Sequence, residues 1–166
     1  MGGDESAEAK VKELISELLN QIDEPIDEEE AYEKVKPQDQ NPLKIVLLQE
    51  ITRYNKLLKF VRKNLVDLER GINGLVLISE DLEKVMISLF ENKVPEKWKF
   101  AYYSLKPLSL WMLDLNKRID QLRQWVSKGQ PNIFWISGFS FPTGFTTALH
   151  QQASRKYNKP IDQFAW

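Results

Sequence analysis

Cysteine is absent from the sequence. Disulfides, thiolate zinc sites, iron–sulfur clusters and thiol nucleophiles are excluded, and the composition fits a reducing compartment. There is one histidine, His150, which rules out a histidine-built metal set. No apolar run approaches the roughly 18 residues that a membrane-spanning helix needs. The acidic start lacks the basic and then apolar pattern of a signal peptide, so a cytosolic location is the expectation. Also missing are a G-x-x-x-x-G-K-[ST] loop and a G-x-G-x-x-G turn. Gly138 and Gly144 bracket FSFPT, but no lysine follows, so a nucleotide phosphate has no cradle of that type.

What is present is an ordinary globular mixture. Apolar residues make up 42% of 166 and charged residues 28%, enough for a true core in one large domain or two small ones. The formal net charge of −1 is unevenly placed. Residues 1–40 hold thirteen acids and four bases, whereas residues 41–166 hold eleven acids and nineteen bases. An acidic helical arm on a mildly basic helical body is the plain reading. The sharper one is that each part meets a surface of opposite charge.

The strongest pattern lies between Asn41 and Gly74. Leu47, Ile51, Tyr54, Leu58, Val61, Leu65 and Leu68 recur in steps of four and three, which lays an apolar seam along a helix. Asn41 followed by Pro42 is a cap and a first helical residue, and Gly71 and Gly74 are stops. A helix over 42–70 would be on the order of 40 Å long. A rod of that length in so short a polypeptide suggests a mechanical or docking part.

The rest is also mostly helical. Met1-Gly2-Gly3 reads as a loop end. Val11, Leu14, Ile15, Leu18, Leu19 and Ile22 predict an amphipathic helix over 7–22, ended by Pro25. Asp27 and Glu30 form a capping-box pair before a short helix, and 36–41 reads as a linker. GLVLIS (74–79) is a strand or a buried connection. Ser79 caps a helix whose stripe is Leu82, Val85, Met86, Leu89 and Phe90, and VPEKW (94–98) makes a turn. Pro107 opens a further helix with Leu108, Trp111, Met112, Leu115, Ile119, Leu122 and Val126 on one face, closed by Lys128 and Gly129. IFWISGFSFP (133–142) reads as an extended, buried aromatic segment. Thr143 caps a last helix to about Tyr157, which Asn158 and Pro160 end. The bare aromatics of Phe164-Ala165-Trp166 suggest that the polypeptide continues. The expected fold is mainly α: a helical bundle built around one long helix, with a short extended aromatic segment near the C-terminus.

Reactive groups find bland explanations. Ser140 lies in G-F-S-F-P, which lacks the second glycine of a nucleophile elbow. His150 has no aspartate near it in sequence and reads as a polar position on the last helix. Glu80 and Asp81 suit a helix N-terminus. Asp114 stands four residues before Arg118, a helix-stabilising spacing, and gives the pair with Asp120 no catalytic character. Lys56, Lys59, Arg62 and Lys63 form a basic patch. Tyr54 and Phe60 should be buried beside it, so a solvated face or a protein-contact face is expected rather than a nucleic-acid surface. Trp98, Trp111, Trp125, Trp135 and Trp166 imply large buried contacts; Trp111 and Trp125 lie two heptads apart. No catalytic, cofactor-binding or metal-binding residue is assigned.

Five blocks carry a resemblance: VLLQEITRYNKLL (46–58), LERGINGLVLISEDLEKV (68–85), VPEKW (94–98), YSLKPLSLWMLDLNKRIDQLRQW (103–125) and FWISGFSFPTGFTTALHQQASRKYNKPID (134–162). In this order and spacing they resemble the C-terminal part of dynein heavy chains, in particular axonemal chains of the inner-arm type. The likeness spans roughly residues 41–162; residues 5–36 share only the helix pattern. It implies a piece of a minus-end-directed microtubule motor ATPase that drives ciliary or flagellar movement. Within that motor, 1–40 would be an acidic helical arm and linker. Residues 41–106 would be the small helical subdomain of a sixth AAA+ module of the non-hydrolysing type, and 107–166 the start of the C-terminal domain. The implied partners are the other AAA+ modules of the same heavy chain, with intermediate chains, light chains and microtubules reached through the full-length protein. Neither nucleic acid nor membrane is expected as a partner. ATP and magnesium would be used elsewhere in the motor and not by this segment. The long helix would act as a strut between modules. The competing expectation is an independent helical protein-interaction module.

Overall fold

The computed structural model describes residues 2–36 and 41–157. Most of the expected 36–41 linker, the expected stops Asn158 and Pro160, and Phe164-Ala165-Trp166 lie outside the described residues. Six helices and no strand occur among those described: α1 (Gly2–Gln21), α2 (Glu28–Val35), α3 (Pro42–Ile72), α4 (Glu80–Phe90), α5 (Leu108–Lys128) and α6 (Pro142–Tyr157). Short 3-10 turns span Glu96–Trp98 and Ile136–Gly138. The mainly α fold expected from the sequence is the one found. Helix α1 begins at Gly2, earlier than the periodicity suggests.

The protein forms two compact units, each drawn from separate stretches. One holds residues 1–25 and 56–116, the other residues 26–55 and 117–166. Both α3 and α5 contribute residues to each unit.

In the first unit, Val11, Ile15, Leu18 and Ile22 of α1 are buried, and α1 contacts α4. The acidic N-terminal stretch is thus built into a core through its apolar face. Polar side chains secure the end of α1. The Asn116 amide donates to the Gln21 carbonyl at 2.8 Å and accepts from Asp23 N–H at 3.1 Å. Arg62 donates to the Ile22 and Asp23 carbonyls, each at 3.4 Å, where a cation suits a helix C-terminus. Trp98 is fully buried and donates its indole N–H to Asn64 at 3.0 Å. Trp111 lies between two rings, 5.8 Å from Trp98 and stacked on Tyr102 at 6.0 Å.

Each seam residue named above on α3 is no more than 1% exposed. The buried surface is nevertheless wider than a seam, because Leu43, Glu50, Asn55 and Leu57 are buried as well. Such a helix is a core element rather than a coiled-coil strand. Its start follows the sequence: the Asn41 side chain accepts from Leu43 N–H at 3.0 Å. Its end is a Schellman motif. Leu75 N–H reaches Arg70 O at 2.9 Å and Gly74 N–H reaches Gly71 O at 3.0 Å. Gly74 takes φ +76° there, which a side chain tolerates poorly. Gly71 itself is still helical.

Residues 74–79 are neither strand nor buried connection. Leu77 is 96% exposed and Leu75 72%, because the Schellman turn carries the backbone away from the core. On α4, Val85 and Leu89 are buried, but Phe90 is exposed, so the expected stripe is only partly covered. Ser79 and Asp27 both act as N-caps, Ser79 accepting from Leu82 N–H and Asp27 from Glu30 N–H, the forward half of the expected capping box. The Glu30 side chain pairs with Lys34 at 2.8 Å.

Candidate functional site

In the second unit, residues 133–141 are the most elaborately held part. They are not extended and buried as the aromatic run implies. A 3-10 turn covers Ile136–Gly138, Ile133 is 87% exposed, and the buried residues are Gly138 and Phe139. Long-range polar contacts account for this shape. Glu50, fully buried on α3, accepts from Ser140 N–H at 2.7 Å and Phe141 N–H at 3.0 Å. Arg53, one turn along, pairs with Glu50 at 3.3 Å and lies over the Phe141 ring at 5.6 Å. Tyr54 donates its hydroxyl to Gly138 O at 2.8 Å and accepts from Arg118 at 3.2 Å. Arg118 also covers Trp135 at 5.2 Å. Gln121 binds the Trp135 backbone twice, donating to its carbonyl and accepting from its N–H. Gly138 has no room for a side chain, since a Cβ would sit 2.5 Å from Trp135.

Beneath the clamp lies an aromatic cluster. Phe139 and Phe145 stack at 4.4 Å, Phe134 sits 4.8 Å from Phe145, and Trp125 is 5.1 Å from Phe134. Helix α6 begins at Pro142, with Phe145 N–H bonded to Phe141 O. Thr143 therefore lies inside the helix instead of capping it. The anion at this N-terminus is the Glu50 carboxylate, which suits the helix dipole.

None of the clamp residues Glu50, Arg53 and Gln121 is singled out by motif reasoning. The sequence does hold a signal for Glu50: it lies three residues after Leu47 and four before Tyr54, a charged residue on the buried face. Its partners are not readable there, because they stand ninety positions away.

The reactive residues noted in the sequence are dispersed. The Ser140 hydroxyl accepts from Arg53 at 3.4 Å, and His150 lies on α6. Asp114 is buried and paired with Lys106 at 2.9 Å. Asp120 is within 3.5 Å of Gln124. Asp81 accepts from Lys97 at 2.8 Å, and this hydrogen bond and charge hold its carboxyl below the ordinary carboxylate range. Among the described residues no group of three or more His, Asp or Glu side chains could hold a metal ion, and no helix is long and apolar enough to cross a membrane.

Two surfaces of the first unit stand out. One is an apolar groove of ≈ 410 Å³ lined by Val11, Ile72, Ile78, Met86, Ile87 and Phe90. The other is an open groove of ≈ 620 Å³ where Lys56, Lys59, Lys63 and Lys97 surround Phe60 and Phe100. The described residues thus form an all-helical scaffold with a polar-clamped aromatic loop and apolar surface left open.

Sequence comparison gives that scaffold its family. Residues 1–166 match the C-terminal domain of the dynein heavy chain, and the protein belongs to that family. It is 45% identical over 165 residues to dynein axonemal heavy chain 2 of Mus musculus, covering 99% of this sequence and 4% of the relative. It is 46% identical over 156 residues to the Dynein-1-beta heavy chain of the flagellar inner arm I1 complex of Chlamydomonas reinhardtii, covering 94% and 3%. Against dynein axonemal heavy chain 1 of Rattus norvegicus the identity is 43% over 163 residues, covering 98% and 4%. The 166 residues thus span only a few per cent of the length of these relatives.

Proposed function

We propose that this protein is a non-catalytic structural part of an axonemal dynein heavy chain, a minus-end-directed microtubule motor ATPase of cilia and flagella. Its role is to pack on other AAA+ modules of the same polypeptide. Intermediate chains, light chains and microtubules are met through the rest of the motor. ATP and magnesium serve modules elsewhere in it.

One observation carries the non-catalytic reading. The G-F-S-F-P-T-G stretch is the nearest thing here to a phosphate-binding loop at a helix N-terminus. Four of its amides are already taken: Gly138 N–H bonds Trp135 O, Phe139 N–H bonds Ile136 O, and Ser140 and Phe141 N–H bond Glu50. A buried carboxylate thus occupies two of the donors that a phosphate would use, which supports the non-catalytic reading. The docking part of the reading is supported by the apolar groove and by the exposed Leu75, Val76 and Leu77, surface that a water-facing domain has no reason to carry. The family description spans all 166 residues as one domain. Assignment of 41–106 to a sixth-module subdomain and 107–166 to the C-terminal domain accordingly rests on the sequence resemblance. A full-length structure placing 41–106 against the first module would support it.

The test is direct. The purified protein is expected to release phosphate from Mg-ATP no faster than buffer does, and saturable turnover would overturn the proposal.

A further inference from the structure

The lysine-rimmed groove is not needed for that role. We propose that it is a docking site for an acidic peptide segment carrying one aromatic anchor, supplied by another protein.

The geometry is specific. Phe60 and Phe100 meet edge to face at 6.0 Å, and Phe100 is 52% exposed. Lys56 stands over the Phe100 ring at 6.0 Å. Among the described residues no carboxylate pairs with Lys56 or Lys59. Lys63 has only a long contact to Asp67, at 3.9 Å, and Lys97 is held by Asp81 at 2.8 Å. The groove therefore offers an apolar floor, two ammonium groups with no carboxylate partner among the described residues, and two more that a stronger acidic partner would recruit. Oppositely charged groups around a central aromatic anchor are the usual composition of a specific peptide contact.

The same facts disfavour nucleic acid. The protein has a pI near 6.0, whereas nucleic-acid-binding domains are strongly basic. The two rings pack edge-on into each other rather than presenting flat faces for bases.

The experiment uses the whole protein and fluorescence anisotropy of a labelled peptide in which one tryptophan is flanked on both sides by glutamates. Saturable binding that weakens with salt is expected. Phe100→Ser and Lys59→Glu should each weaken it on the order of tenfold, whereas Lys117→Glu, remote in sequence and exposed, should not. Far-UV circular dichroism of each variant checks that the fold survives, as exposure of both side chains predicts. The proposal is overturned if no binding occurs, if an all-glutamate peptide binds equally well, or if an oligothymidine binds more tightly than the tryptophan peptide.

Discussion

Glu50 shows how one residue can organise a distant segment. Its fully buried carboxylate satisfies two part-buried backbone N–H groups and a half-exposed arginine. Truncation would strand those donors, and each buried unsatisfied group costs about 1–3 kcal/mol. Glu50→Ala is expected to lower unfolding stability by about 3 kcal/mol or more, measured by urea denaturation. Glu50→Gln keeps one acceptor and should cost less; equal stability of wild type and alanine variant would disprove the clamp. Asp81 is a second case, and here the lever is pH. Its carboxyl pKa is lowered from 3.8 by Lys97. A depressed carboxylate contributes stability that is present above its unfolded pKa and lost as pH falls through the folded one. An NMR titration should find the Asp81 midpoint below the ordinary value, and Lys97→Ala should raise it. An unmoved midpoint would mean that the pair does not persist in solution.

Among the elements, α3 is the most legible. Its cap, its seam and its left-handed glycine stop are all local devices, and each forms where the residues place it. Gly74→Ala forces a Cβ into positive φ, so a loss of about 1 kcal/mol is expected in thermal or urea unfolding. A stabilised variant would show that the Schellman turn is not populated. The two loops depart from expectation for one reason. GLVLIS and IFWISGFSFP are apolar, and apolarity alone implies burial. In the first, the turn at Gly74 directs the residues outward; in the second, contacts from Glu50, Tyr54 and Gln121 impose a turn that no neighbour in sequence encodes.

Taken as a molecule, the protein leaves apolar surface open near the end of α4 and in the segment before it. Leu77 and Phe90 contribute exposed area and little to stability, so charge at these positions should be tolerated. Leu77→Lys with Phe90→Lys is expected to reduce binding of an apolar dye and any self-association in analytical ultracentrifugation, with the unfolding midpoint nearly unchanged. A large drop in the midpoint would mean that these side chains belong to the core. A clean self-associating dimer of the unmutated protein would favour the independent interaction module instead.

Most helix positions, the caps at Asp27, Asn41 and Ser79, and the family likeness are settled by the order of residues, since a helix is written in contacts three and four positions apart. Which stretches share a unit, which apolar runs face water and which anion sits on α6 are settled by folding. These depend on pairs such as Glu50 with Ser140 and Tyr54 with Gly138. Their partners are far apart in sequence, and a loop closure leaves no periodic trace to read.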